Sequence, residues 1–229
     1  MYEDINFLKN LEILFVEDDD ELSSTMINSL SYLFKKVYHA KNGIEAFTIY
    51  LTMLPDIILT DIKMDKMDGM ELIQEIRKKD VTIPIVFLTS YSQQKFLMEA
   101  VNNSADGYIL KPVDLNSMIQ TLIKASSRNN FFTKNISLSP SIQYDILKKE
   151  LTIDGTIIEL STKEHLLLKL FIRNINKPLT KEDINYYLYP LESVTDSAIK
   201  NLIARLRDKI DSNIIIYIKG AGWKLNLRK

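Results

Sequence analysis

Short apolar runs alternate with amphipathic stretches through the first half of the chain. The runs are hydrophobic at nearly every position, which is typical of strands buried on both faces of a parallel sheet. The stretches between them repeat apolar residues every three or four positions, as helices do. We therefore predict an α/β fold with a five-stranded, doubly wound parallel sheet. The predicted strands are residues 11–16, 36–40, 56–60, 83–89 and 107–110, and the predicted helices are residues 19–34, 43–51, 69–79, 93–103 and 115–125.

The pattern changes after residue 125. The polar stretch SSRNNFFTKN, residues 126–135, predicts a linker between a first domain (1–125) and a second (136–229). Beyond it, short segments alternate apolar and polar residues around the turn sequence Asp154-Gly155, which predicts antiparallel strands. Three helical patterns and two closing strands complete an α+β domain. These strands are predicted at residues 142–147, 150–153, 156–160, 214–218 and 223–227, and the helices at residues 162–173, 181–188 and 196–210.

Charge and composition narrow the function classes. The net charge of −1 conceals an asymmetry, because the first 124 residues carry 12 Lys and Arg against 19 Asp and Glu, which leaves 17 basic and 11 acidic residues for the remainder. A basic module favours a polyanionic partner. The absence of cysteine excludes disulfides, thiolate zinc sites and cysteine nucleophiles. The chain begins without an export signal and has no apolar run near the roughly 18 residues of a membrane span, so we expect a cytoplasmic protein with no membrane partner.

Chemically notable side chains follow four of the predicted strands. Glu17 and Asp18 follow the first strand, Asp61 follows the third, Thr89 ends the fourth and Lys111 follows the fifth. Because the carboxyl ends of parallel strands meet at one edge of a sheet, we expect these groups to converge. Clustered carboxylates repel one another unless a cation joins them, and Mg²⁺ prefers such oxygen ligands. The pocket then suits a phosphoryl group, which Lys111 can neutralise and Thr89 can hydrogen-bond.

Each of these residues also has a purely structural interpretation. Asp18 or Asp19 can cap the following helix, and Asp61 can simply begin a turn. The occurrence of all the groups at strand ends favours a site over these separate roles. The two histidines, His39 and His165, fall in a strand pattern and a helical core pattern, and we interpret both as structural.

Together the motifs resemble the receiver domain of bacterial two-component response regulators, over about residues 11–125. The resemblance implies that a partner histidine kinase phosphorylates Asp61. The motifs that carry it are Glu17-Asp18, PDIILTD ending at Asp61, MDGMEL, FLTS with Thr89, and ADGYILKP with Tyr108 and Lys111.

The same resemblance implies roles for the neighbouring residues. Thr89 is expected to swing toward the phosphoryl group and Tyr108 to turn inward behind it, while Lys111 pairs with the phosphate. The Lys111-Pro112 peptide bond is expected to be cis. The implied Mg²⁺ ligands are Glu17, Asp18, Asp61 and the backbone carbonyl of Lys63.

The loop after Asp61 departs from the family pattern. Asp65 and Lys66 stand where many receivers have proline and glycine, which can alter kinase docking or metal affinity. A magnesium-dependent phosphatase with an aspartate nucleophile is an alternative function for such a pocket. Those enzymes resemble one another in a second aspartate two residues after the nucleophile, where this chain has Lys63. We therefore expect that the chain is not an enzyme.

The second half contains a candidate DNA-binding helix at residues 196–210. Two short helices joined by a turn commonly present the second helix to the major groove. Lys200 and Arg207 are seven residues apart and Asn201 and Arg205 four apart, so each pair lies roughly on one side of the helix. The helical pattern alone favours an ordinary solvated charged face instead.

Motifs along this half resemble the winged-helix effector domain of the OmpR/PhoB family, over about residues 136–228. They are LSTKEHLLLKLF, ARLR and KGAGWKL. The resemblance implies a phosphorylation-dependent transcriptional regulator that binds double-stranded promoter DNA; an orphan regulator that binds DNA constitutively is the alternative. The residues predicted to contact DNA are Lys200, Asn201, Arg205, Arg207 and, on the wing, Lys219.

The resemblance also makes a homodimer possible. Members of the family commonly dimerise through charged pairs on the face made by the fourth helix, fifth strand and fifth helix of the receiver. Here Ser117 and Thr121 stand where an acid and an arginine are typical, although Asp106 is retained. We therefore predict a weaker or differently built phosphorylated dimer.

Overall fold

A computed structural model describes residues 7–78, 80–90, 105–127, 135–145, 148–175, 177–189 and 194–227. The chain divides into two compact units, Met1–Asn130 and Phe131–Lys229. The predicted helix at residues 93–103 and most of the predicted linker lie outside the described residues. Within the described part of the chain, none of the helices is both long and apolar enough to cross a membrane.

The first unit is a parallel sheet with helices between its strands. Its strands are β1 (Glu12–Val16), β2 (Lys36–Ala40), β3 (Ile57–Asp61), β4 (Ile85–Thr89) and β5 (Gly107–Leu110). Its described helices are α1 (Asp20–Leu33), α2 (Gly43–Met53), α3 (Gly69–Arg77) and α4 (Leu115–Ser127). The strand order β2-β1-β3-β4-β5, with all neighbours parallel, confirms the predicted doubly wound fold. β1, β3 and β4 are buried at every position, as their unbroken apolar sequences predict.

Side-chain caps fix where the helices of the first unit begin. The Asp19 carboxylate accepts hydrogen bonds from the backbone amides of Glu21 and Leu22 at 2.9 and 2.8 Å, and so caps α1. Of the two aspartates that the sequence offered as caps, Asp19 takes that role. Asp68 and Glu71 form a capping box that starts α3 shortly after β3 ends.

The second unit is a winged helix, as predicted. Its four-stranded antiparallel sheet comprises β6 (Asn135–Ser139), β7 (Ile142–Asp145), β8 (Glu150–Ile153) and β9 (Thr156–Ile158). The helices α5 (Thr162–Arg173), α6 (Lys181–Leu188) and α7 (Asp196–Ile210) follow, and the hairpin of β10 (Ile215–Ile218) and β11 (Gly222–Leu225) forms the wing. β6 was not predicted from the sequence, because its polar residues resemble a continuation of the linker.

The wing is attached to the helical part of the second unit by backbone hydrogen bonds. Leu179 and Trp223 exchange two such bonds, of 2.7 and 2.9 Å, just before α6 begins. The approach is close, since a Cβ atom on Gly222 would lie 2.1 Å from the Leu179 carbonyl oxygen. α7 packs against α5 and α6 and buries the apolar face that its sequence predicts: Ile199, Leu202, Ile203, Leu206 and Ile210.

Candidate functional site

The carboxyl edge of the parallel sheet brings acids from two strands to one lysine. Lys111 Nζ donates to Glu17 Oε2 at 2.7 Å and to Asp61 Oδ2 at 2.6 Å. Carboxylate oxygens of Glu17, Asp18 and Asp61 all lie within 4.8 Å of one another. The Lys111-Pro112 peptide bond is cis, as the family resemblance implies. We call these four side chains, Glu17, Asp18, Asp61 and Lys111, the acid cluster.

Burial governs the electrostatics of the acid cluster. Glu17 is 1% exposed and Asp61 6%, whereas Asp18 faces solvent. Burial raises the pKa of Glu17 above its ordinary value, although the hydrogen bond from Lys111 opposes this effect. Burial also acts to lower the pKa of Lys111, but its hydrogen bonds to Asp61 and Glu17 outweigh that effect and the pKa is raised. Lys111 therefore stays charged as the counter-ion of two buried carboxylates.

The donor set of the acid cluster fits a magnesium ion. Three carboxylates face a single ammonium, and the negative charge of Asp61 is one of the causes that raise the pKa of Glu17. A divalent cation relieves such repulsion, and carboxylate oxygens with open positions for water are the ligands that Mg²⁺ takes.

The two oxygens of Asp61 have different surroundings. Oδ1 accepts backbone hydrogen bonds from Ile62 at 2.5 Å and from Lys63 at 3.3 Å, so the chain itself fixes the carboxylate plane. Oδ2 points to the Lys111 ammonium. The backbone thus fixes Oδ1, while Oδ2 lies beside the Lys111 ammonium, which can move to hydrogen-bond a group that is transferred to Oδ2.

Thr89 and Tyr108 lie on the neighbouring strands β4 and β5. Asp61 pairs in register with Leu88, so Thr89 lies one residue further toward the carboxyl edge. Thr89 is fully buried, and its hydroxyl donates a long 3.3 Å hydrogen bond to the Ser90 carbonyl oxygen. Tyr108 is 51% exposed, so its ring lies in the outward position.

The loop between Asp61 and α3 is held from both ends. Lys63 Nζ donates to Asp68 Oδ2 at 2.8 Å, while Oδ1 of the same aspartate caps α3. A Cβ atom on Gly69 would lie only 2.0 Å from the Asp61 carbonyl oxygen, so α3 begins directly against the end of β3. These contacts were not predicted from the sequence, where MDGMEL served only as a family motif. The spacing Asp68-x-x-Glu71 was the available signal for the cap.

Asp106, on the predicted dimer face, has partners inside the first unit. Its Oδ2 accepts from Arg77 Nη2 at 3.0 Å and from the backbone amide of Ile85 at 2.9 Å. Thr121, which stands where an arginine is typical, packs its methyl group where a Cβ atom on Gly107 would lie, 2.9 Å away. The Asp106 carboxylate therefore fixes the start of β4 in this structure.

The side chains predicted to contact DNA differ in how exposed they are. Lys200, Asn201 and Arg205 are exposed on α7, and Lys219 is exposed in the wing turn. Arg207 is half-buried, and its Nε and Nη2 donate to the Ser212 carbonyl oxygen at 3.2 and 2.9 Å. Four of the five predicted side chains thus face solvent, whereas Arg207 is held against the loop after α7.

A buried acid that sequence reasoning missed ties α5 to α7. Glu164 is 3% exposed, accepts from Lys209 Nζ at 2.9 Å and lies 3.9 Å from Arg205 Nε. It also forms a capping box with Ser161 at the start of α5, and the Ser-x-x-Glu spacing was the readable signal. Burial acts to raise the pKa of Glu164, but the hydrogen bonds from Lys209 and Ser161 outweigh it and the pKa is lowered. The contact holds one flank of α7 in place.

Both histidines have hydrogen-bond partners within their own unit. His39 Nε2 lies 3.1 Å from the Glu17 carbonyl oxygen, and His165 Nδ1 lies 2.9 Å from the Tyr144 hydroxyl. These contacts agree with the structural interpretation of both side chains.

Comparison with known proteins identifies relatives for both units. The family described as "Response regulator receiver domain" matches residues 13–123, and the family described as "Transcriptional regulatory protein, C terminal" matches residues 155–225. The transcriptional regulatory protein PhoP of Escherichia coli K12 and the virulence transcriptional regulatory protein PhoP of Salmonella typhimurium LT2 are each 28% identical over 223 residues, which cover 95% of this chain and 100% of each relative. Among solved structures, the OmpR/PhoB homologue DrrB of Thermotoga maritima is similar over 94% of this chain and 99% of its own, with 18% identity and a TM-score of 0.46.

Proposed function

Because the chain belongs to the OmpR/PhoB family of response regulators, which are phosphorylation-dependent transcriptional regulators, we propose that Asp61 is the residue that accepts the phosphoryl group. The observation that supports this assignment is the acid cluster. Asp61 has one oxygen held by two backbone amides and the other hydrogen-bonded to Lys111. Glu17 shares the lysine, but its second oxygen accepts only one long amide bond, of 3.4 Å from Asp19. Membership of the family implies a kinase partner and DNA. The orphan alternative is not favoured, because the acid cluster is complete.

The proposed transfer is a displacement at phosphorus. Asp61 Oδ2 forms a bond to the phosphorus atom while the bond to the histidine nitrogen of the kinase breaks, and that nitrogen keeps the electron pair. Lys111 shifts its hydrogen bond from Oδ2 to a phosphoryl oxygen, and the Thr89 hydroxyl donates to another. Mg²⁺, when bound, shields the carboxylates from the incoming negative charge. The residues that would hold it are Glu17, Asp18, Asp61 and the backbone carbonyl of Lys63.

The proposed switch converts this charge into a change of surface. Phosphorylation replaces the single carboxylate charge of Asp61 with a phosphoryl group that carries about −1.5 to −2 charges and three acceptor oxygens, for which the buried edge needs a new donor. We expect the Thr89 hydroxyl to leave its long bond to Ser90 for the phosphoryl group, and Tyr108 to turn inward from its exposed position. Because Thr89 and Tyr108 each have two positions, their joint movement couples the acid cluster to the surface formed by β5 and α4.

The proposed DNA contact uses α7 in the major groove and the wing turn on the backbone. The experiment that tests the function measures binding of the full chain to duplex DNA before and after treatment with a small acyl phosphate. We expect tighter binding after treatment. An unchanged affinity, in a chain shown to be phosphorylated, contradicts the proposal.

Affinity for DNA should fall steeply with salt, because contacts to phosphates release counterions. Lys200→Gln and Lys219→Gln should each reduce the slope of log affinity against log salt by about one, since each removes one phosphate contact. Fluorescence anisotropy across a series of KCl concentrations measures the slope. Lys124→Gln, an exposed change in the first unit, is the matched control and should leave it unchanged. If neither Lys200→Gln nor Lys219→Gln alters the slope, these two phosphate contacts are excluded.

We propose that any phosphorylated dimer is weak or differently built, because Asp106 is already paired within the first unit. Asp106→Asn should therefore lower the free energy of unfolding by about 1–2 kcal/mol through loss of the Arg77 pair. Sedimentation velocity of the acyl-phosphate-treated chain should show little change in self-association. Asp114→Asn, which keeps a good helix cap, serves as the control. A tight dimer that Asp106→Asn dissociates would show that the usual charged face is in use.

A further inference from the structure

A groove of about 530 Å³ lies between the start of α6, α7 and the wing of the second unit. Its charged side is formed by Lys181 and Lys200, with the acid Glu182 beside them. Its other side is aromatic, with the exposed ring of Tyr217 packed at 5.2 Å from Trp223. Ammonium groups beside an aromatic wall suit the alternating phosphates and sugars of a nucleic-acid backbone. We call this the wing groove.

An acidic side chain already engages the charged side of the wing groove. The Asp196 carboxylate, on the first residue of α7, is ion-paired and hydrogen-bonded to Lys181 Nζ. The hydrogen bond to Lys181 is the main cause that lowers the pKa of Asp196, and the charge of Lys200 contributes in the same direction. The Asp196 carboxylate therefore interacts electrostatically with both ammonium groups that line the groove.

The N-cap of α7 does not involve this ion pair. Thr195 is the N-cap residue, and its side chain accepts from the Ala198 backbone amide at 3.3 Å. The pair is also open to water, since the Lys181 side chain is 34% exposed and that of Asp196 64%. Exposed ion pairs contribute little to stability, so displacing this one costs the fold little.

We propose that Asp196 is an internal competitor for DNA phosphate, which occupies Lys181 in the free protein and must be displaced when the backbone enters the wing groove. The inference rests on the proposed DNA-binding function and adds a regulatory feature to it. A carboxylate and a phosphate have the same charge sign and the same hydrogen-bond acceptors, so they compete for one ammonium. The competition lowers the affinity of a single module, and stable binding then depends more on a second tethered module.

The test compares full-length variants on a fluorescein-labelled duplex of arbitrary sequence, because phosphate contacts do not depend on sequence. Asp196→Asn should bind about two- to fivefold more tightly than the natural chain at low salt, the range expected for release of one exposed ion pair. The gain should shrink as KCl rises. In a Lys181→Gln background, Asp196→Asn should lose most of this gain, because the ammonium that Asp196 directly occupies is then absent and only its longer-range effect on Lys200 remains.

Two controls separate this mechanism from general charge and from misfolding. Asp154→Asn, in the exposed turn between β8 and β9, changes the net charge equally and should leave affinity unchanged. Asp196→Ser should reproduce the gain of Asp196→Asn, and thermal unfolding should show that both variants fold.

Two outcomes overturn the proposal. One is an unchanged or weaker affinity of folded Asp196→Asn and Asp196→Ser. The other is a gain that persists in full without Lys181, which would assign the effect to general repulsion of DNA. Failure of the natural chain to bind any duplex is a different result, because it contradicts the proposed function itself.

Discussion

Replacing Asp61 with asparagine should reduce phosphorylation of the chain by a small acyl phosphate to background. An amide lacks the anionic oxygen that attacks phosphorus. Glu17 shares Lys111, but it is held by a single long amide bond of 3.4 Å from Asp19, whereas Asp61 is fixed by the amides of both Ile62 and Lys63. Transfer depends on such positioning, so loss of the placed oxygen removes the reaction instead of slowing it. Mobility shift on a phosphate-affinity gel measures the modified fraction.

Asp154→Asn is the matched control for this experiment. Asp154 lies in an exposed turn of the second unit, so the variant loses the same charge without changing the acid cluster or the loop after Asp61. It should be modified at close to the natural rate. A full mobility shift of the Asp61→Asn chain would show that another residue is the phosphoacceptor.

Replacing Gly69 with alanine should damage both the fold and the site. The added methyl group would lie 2.0 Å from the Asp61 carbonyl oxygen and 3.2 Å from the Phe87 ring, so α3 or the end of β3 has to move. We expect the free energy of unfolding to fall by about 2–4 kcal/mol, as for other overpacked buried positions. Because the same movement displaces the Asp61 carboxylate, the rate of phosphorylation should fall by about tenfold or more. Denaturant unfolding and the initial rate of the gel shift measure the two effects.

Gly155→Ala provides the comparison. Gly155 has a φ of +79°, but none of the described residues comes within 4 Å of the position that the added methyl group would take. The substitution therefore costs only the backbone conformation, about 1 kcal/mol. It should leave the phosphorylation rate unchanged. A Gly69→Ala chain that is phosphorylated at the natural rate would show that the junction of β3 and α3 does not position Asp61.

The sequence was informative where backbone geometry alone brings residues together. Glu17, Asp61 and Lys111 are far apart in the chain, yet each lies at the end of a strand of one parallel sheet, so their meeting followed from the strand pattern. The buried face of α7 was equally predictable from its helical period, because burial of Leu202 and Leu206 needs no knowledge of the partner surface.

The sequence was uninformative where an outcome depends on which of several partners a side chain reaches. Arg207 stays a predicted DNA contact, and the sequence did not indicate that its guanidinium also donates to the Ser212 carbonyl oxygen. Asp106 could serve a dimer or its own fold, and only the position of Arg77 shows the second use. The pair of Lys181 and Asp196 joins the first residues of α6 and α7, which are 15 positions apart in the chain, and no helical spacing rule predicts such a contact.

The most direct test of the phosphoacceptor assignment locates the phosphoryl group itself. The full chain is treated with a small acyl phosphate and Mg²⁺, reduced with borohydride, which converts an aspartyl phosphate to homoserine, and analysed by peptide mass spectrometry. We predict that the mass change characteristic of homoserine occurs at residue 61 alone. Modification at Glu17, Asp18 or any other carboxylate, or no modification while DNA affinity still responds to the donor, would contradict the assignment.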